Sequence, residues 1–150
     1  MEQLTFAQQV QQFAANHTIM VVAWIALFIA VVINLYKGAT SKIKVVDNAQ
    51  ATLLINKEDA IVIDVRSDDE FKAGHIIESD HVLPSDIKGN KLQKIEKYKD
   101  RAVIIADNNG LTAQGLANTL AKHGFTKVYA LKEGIAGWRA ANLPLVKKHK

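Results

Sequence analysis

Thr18 to Tyr36 is a run of 19 residues in which no side chain is acidic or basic. As a helix rising 1.5 Å per residue, it comes close to the roughly 30 Å of a bilayer hydrocarbon core. Lipid offers no hydrogen-bonding partner, so a single segment that crosses it must satisfy its own backbone groups as a helix. Each Leu, Ile, Phe and Val favours insertion by roughly 0.3–0.6 kcal/mol, with no central Lys, Arg or Asp in opposition. Residues 18–36 are therefore expected to form a transmembrane helix. A cleaved signal peptide would carry basic residues ahead of its apolar run, and no Lys or Arg precedes Thr18. Lys37, Lys42 and Lys44 follow the run, which predicts a single-pass protein with its N-terminus outside and the rest in the cytoplasm.

The short extracytoplasmic segment, residues 1–17, carries Thr5 and Gln8 at capping-box spacing. Phe6, Val10 and Phe13 then recur on one side of a helix, away from most of the glutamines. Within the span, Ala23, Ala26, Ala30 and Asn34 share one stripe. Small residues admit a neighbouring helix closely and an amide bonds across such a contact, so the stripe is a candidate docking face for another membrane protein. The alternative is ordinary lipid-facing alanine with Asn34 reaching the headgroups. Residues 37–43 read as a linker, 44–146 as a folded domain and 147–150 as a basic tail.

That domain alternates strand and helix patterns, the signature of an open parallel α/β sheet flanked by helices. Asp47 with Gln50 opens a helix, and residues 61–65 form a buried-type strand. Ser67 with Glu70 caps the next turn, which Gly74 stops. A strand is expected around residues 81–83, closed by Pro84, and a helix over 91–98 with Leu92 and Ile95 inward. Lys88, Lys91, Lys94 and Lys97 recur every three residues there, as a solvated face or as a patch for anionic lipid. A strand over 103–106 leads to a loop, then a helix reaching Gly124 and a last strand over 128–131.

The loop is Asp107-Asn108-Asn109-Gly110-Leu111-Thr112. Loops between a strand and a helix gather backbone N–H groups at the strand end, and the helix terminus adds positive potential. Such a place suits an anion, and here the chain puts its own carboxylate, Asp107, in it. We expect that carboxylate to accept the loop N–H groups itself.

The sequence contains no cysteine, which removes disulfides, thiolate nucleophiles and every Cys-ligated metal site. The net charge of +4 comes with interspersed acids and few aromatics, so nothing motivates a nucleic-acid partner. No His, Asp and Glu cluster has metal-ligand spacing, and no cofactor is expected. Asp64 and Asp107 both fall at strand ends, as a Mg²⁺-assisted aspartyl phosphotransfer site would require, yet no partner Lys or second acidic pair accompanies them.

Asp64-Val65-Arg66, Glu70-Phe71 and Gly74-His75-Ile76 resemble the D-V-R, E-F and G-H-I blocks of rhodanese-like domains. Gly124-Phe125, Val128-Tyr129-Ala130-Leu131, Gly134-Ile135, Gly137-Trp138 and Leu143-Pro144 resemble that family's ending. Two ordered blocks over about residues 43–146 imply the rhodanese fold, and with the single N-terminal anchor they imply a protein of the bacterial inner membrane. In that family the central loop carries a cysteine that holds a persulfide and an arginine that binds the sulfur donor. Asp107 and Thr112 stand in those places here. Glu78-Ser79 replaces the usual Gly-Ala, and Glu133 the first glycine of a pair.

The resemblance thus implies the fold without the sulfurtransferase chemistry. The expected role is a non-catalytic module that engages other membrane or membrane-associated proteins; the alternative is an enzyme or anion binder using Asp107 or a thiol supplied by a partner. Asp64, Arg66 and His75 are expected to be structural, bonding loops together.

Overall fold

The computed structural model describes residues 3–39 and 43–148. Lys42, the rest of linker residues 40–42 and tail residues 149–150 lie outside the described residues. The chain divides into two units, Met1–Ser41 and Lys42–Lys150.

The first unit is two helices, α1 (Phe6–Asn16) and α2 (Thr18–Ala39). Thr5 accepts the Gln8 N–H while the Gln8 side chain accepts the Thr5 N–H, closing a reciprocal cap. Phe6, Val10 and Phe13 of α1 are exposed. So are Trp24, Phe28 and most other large apolar side chains along α2, together with Ala23, Ala26, Ala30 and Asn34. α2 is long and apolar enough to cross a membrane.

The second unit is a five-stranded parallel sheet: β1 (Ile43–Val46), β2 (Ile61–Asp64), β3 (Asp80–His81), β4 (Ala102–Ala106) and β5 (Lys127–Leu131), in the order β1-β5-β4-β2-β3. Around it lie α3 (Asn48–Glu58), α4 (Asp68–Ala73), α5 (Pro84–Lys88), α6 (Ala113–Lys122) and α7 (Gly134–Ala140). β2 and β4 are buried along their whole length, as strands covered on both faces must be. Their side chains alternate between two cores. Ile61, Ile63, Val103, Ile105, Val128 and Ala130 pack with Leu116 and Leu120 of α6. Val62, Ala102, Ile104, Ala106 and Leu131 pack with Ala51 of α3 and with Ile135 and Trp138 of α7.

The caps read from sequence at Asp47 with Gln50 and at Ser67 with Glu70 both form. Two local expectations differ. Pro84 opens α5 at its first turn, where a missing N–H costs nothing. The helix expected over 91–98 is a single 3₁₀ turn, Glu96–Tyr98, although Leu92 and Ile95 do point inward. Its lysines therefore share no helix face: Lys94 donates to the His81 carbonyl at 2.7 Å and Lys97 lies over the Tyr98 ring. Gly74 ends α4, as expected, in extended backbone.

Candidate functional site

β4 ends at Ala106 in the middle of the sheet, and the next residue turns its side chain into the loop that follows. Asp107 is 4% exposed. Its Oδ1 accepts the Gly110 N–H at 2.6 Å. Its Oδ2 accepts the Thr112 N–H at 2.7 Å, the Thr112 hydroxyl at 3.0 Å and the Ala113 N–H at 3.1 Å. Thr112 and Ala113 begin α6, whose first N–H groups have no partner within the helix, and Thr112 makes no side-chain cap of its own. The carboxylate thus caps α6 from five residues upstream, at its positive end. The three backbone N–H groups and the hydroxyl that converge here all donate to the same side chain.

Glycines set the loop's shape. Gly110 has φ +87 and a Cβ there would lie 1.8 Å from the Lys132 carbonyl oxygen, so the loop rests directly on the segment after β5. Gly134, at φ +59, leaves room for the Asp107 carbonyl, which a Cβ would approach to 2.4 Å. The Ile135 and Ala136 N–H groups then donate to the Asp107 and Asn108 carbonyls at 2.8 and 2.9 Å. Asn109 accepts the Leu111 N–H at 3.2 Å, and the Asn108 amide donates to Glu70 Oε1 at 3.0 Å. Leu111 stands 80% exposed at the tip. The Ser67 hydroxyl and the Asn108 amide, in that order, hold the Glu70 carboxyl below the ordinary carboxylate range.

The other motif residues form one bonded cluster beside the loop. Asp64, fully buried at the end of β2, pairs in register with Ala106 of β4. Arg66 Nε and Nη2 donate to its carboxylate, Nη2 at 2.7 Å, and Nη2 also donates to the Gly74 carbonyl at 2.6 Å. The His75 ring bonds the Phe71 carbonyl through Nδ1 at 2.7 Å, and Phe71 stacks between His75 and His81. Asp64 and Asp107 each have their own donors, and among the described residues no group of three or more His, Asp or Glu side chains is placed to hold a metal.

Two departures from the family pattern have different consequences. Glu78 adopts φ +60, a left-handed conformation that glycine takes without strain. Glu133, at φ −113, is unstrained, but it leaves Gly137 no room for a side chain, since a Cβ there would meet Glu133 Cβ at 2.4 Å. Sequence reasoning missed α7, the seat that Gly134 makes for the loop, and the tie from Asn108 to Glu70. The Gly134 and Gly137 pair was the only visible signal for the first two.

The loop after β4 is thus closed on the chain's own Asp107 carboxylate. The rhodanese-like domain family matches residues 47–141, and the chain belongs to that family. It is 50% identical over 140 residues to the uncharacterized protein YibN of Escherichia coli K12, covering 93% of this chain and 98% of that one. It is 34% identical over 93 residues to the thiosulfate sulfurtransferase GlpE of Pseudoalteromonas translucida, covering 62% of this chain and 86% of that one. Among solved structures, a rhodanese-related protein of Thermoplasma volcanium superposes with a TM-score of 0.60 at 22% identity, over 70% of this chain and 99% of that one, a likeness of fold.

Proposed function

We propose that this protein is a catalytically inactive rhodanese-like domain, anchored in the bacterial inner membrane and facing the cytoplasm, that serves as a docking module for other membrane or membrane-associated proteins. The observation that carries this reading is the Asp107 carboxylate, which takes the N–H groups of Gly110, Thr112 and Ala113 in a chain without cysteine. Sulfur transfer needs a thiolate that attacks sulfane sulfur and holds it as a persulfide, and a carboxylate does neither. With Thr112 where an arginine would bind an anionic donor, a charge-assisted bond worth roughly 1.5–3 kcal/mol is also missing. What remains is a rigid body on a tether, with the stripe of Ala23, Ala26, Ala30 and Asn34 on the tether and the exposed Leu111 at the loop tip as contact surfaces.

The test has two parts. The purified full chain should transfer no sulfur from thiosulfate to cyanide, and turnover that disappears on changing residue 107 would refute the inactive assignment. In membranes, Ala26→Leu/Ala30→Leu should remove specific crosslinked partners that the wild type retains; an identical partner set would remove the stripe from the docking surface.

A further inference from the structure

Residues of α4, the β3 edge and the segment after Val146 line an open cleft of about 590 Å³, within the size range of small-molecule sites. Lys94, Lys147 and Lys148 line it. The last two belong to the basic end of the sequence, yet main-chain bonds fix them in place. The His75 and Val146 N–H groups donate to each other's carbonyls at 2.9 and 2.8 Å, and the Lys148 N–H donates to the Lys72 carbonyl at 3.2 Å. Lys147 and Lys148 are thereby carried on a segment bonded to the rest of the domain, in the same lining as Lys94.

The acids in the wall are already engaged. Asp68 pairs with Lys72, and Asp80 accepts the Tyr98 hydroxyl at 2.6 Å. The wall is otherwise polar: His81 bonds the Arg66 carbonyl through Nε2 at 2.6 Å, leaving Nδ1 facing Asp68 at 3.9 Å. Ser79, also in the lining, has a buried hydroxyl with no hydrogen-bond partner among the described residues. Lys94 spends one donor on the His81 carbonyl and keeps two. Among the described residues no arginine lines the cleft, so the planar fork that reads a carboxylate is missing, whereas ammonium point charges can surround a tetrahedral oxyanion.

We propose that this cleft binds a phosphate group, carried by a soluble phosphorylated compound or by a lipid headgroup, at a site separate from the Asp107 loop. The test titrates sodium pyrophosphate into the full chain in phosphatidylcholine nanodiscs by calorimetry. One saturable site is expected, weakened about tenfold in Lys147→Gln, the loss of one charge-assisted bond. Lys147 makes no hydrogen bond or ion pair with a described residue, so this variant leaves the fold intact. Lys122→Gln/Lys127→Gln, away from the cleft, should stay within about twofold of wild type. No saturable heat, or equal weakening in both variants, overturns the proposal. Repeating the titration in nanodiscs containing phosphatidic acid separates the sources: competition by the lipid supports a headgroup, and unchanged affinity supports a soluble compound.

Discussion

Asn108 in the central loop and Glu70 on α4 are joined by a 3.0 Å hydrogen bond, which ties the loop after β4 to the turn after β2. The same Glu70 carboxylate also accepts the Ser67 N–H and hydroxyl, which makes one ionised group the common acceptor of a helix cap and a loop tie.

That sharing gives a pH dependence. The Glu70 carboxyl is held below its ordinary value of 4.5 by Ser67 first and Asn108 second. A carboxyl lowered by folding contributes stability that is complete above the unfolded value and fades as pH falls through the folded one. Denaturation midpoints measured from pH 7 to pH 3 should therefore decline below about pH 4.5, more steeply for wild type than for Glu70→Gln. Asp68, lowered by Lys72, acts in the same direction and remains in both proteins.

Asp107→Ala strips the acceptor from three N–H groups and the Thr112 hydroxyl, and should cost about 3 kcal/mol, since donors left unsatisfied lose more than the bond itself gained. Asp107→Cys tests the cradle differently. The same N–H groups and the start of α6 favour a thiolate, so this variant should take sulfane sulfur from thiosulfate, release sulfite, and pass the sulfur to cyanide as thiocyanate. Turnover indistinguishable from wild type would mean that more than the nucleophile has been lost.

The buried pair of Asp64 and Arg66 should behave as a unit. Asp64→Ala or Arg66→Ala alone leaves a buried charge uncompensated and should cost about 3–5 kcal/mol, with the double variant losing clearly less than the sum. Urea unfolding followed by the buried Trp138, in a Trp24→Phe background, measures all three.

Glu78→Gly should stabilise the protein by about 0.5 kcal/mol, the relief of a left-handed residue set against the entropy that glycine adds to the unfolded chain. The same urea titration reads it, and a loss of stability would show that the Glu78 side chain supplies a contact outweighing the strain.

With no native cysteine, single introduced thiols report topology without background. In intact cells, Gln3→Cys should react with a membrane-impermeant maleimide and Lys122→Cys should react only after the membrane is opened. The reverse pattern would invert the orientation predicted from Lys37, Lys42 and Lys44.

What the sequence made legible was local or periodic. The span from Thr18 to Tyr36 is written in the absence of charge, and the caps at Thr5, Asp47 and Ser67 each need only a partner three residues on. Unbroken apolar runs in β2 and β4 declared strands buried on both faces. The misread helix over 91–98 had helical spacing of lysines, but Asn90 takes φ +57 and the Lys91 N–H returns to the Asp86 carbonyl, so the chain enters that stretch already turned. α7 went unseen because Gly134 and Gly137 depress helix propensity, and both are there for packing. The loop's residues were visible, but the bond from Asn108 to Glu70 spans 38 positions and the bridge between Val146 and His75 closes only in space.

The chain supplies its own anion at the turn beyond β4, so that turn closes without help from any solute and holds nothing an oxidant attacks. Residues 107–112 contain neither Cys nor Met, so peroxide finds no sulfur there to oxidise.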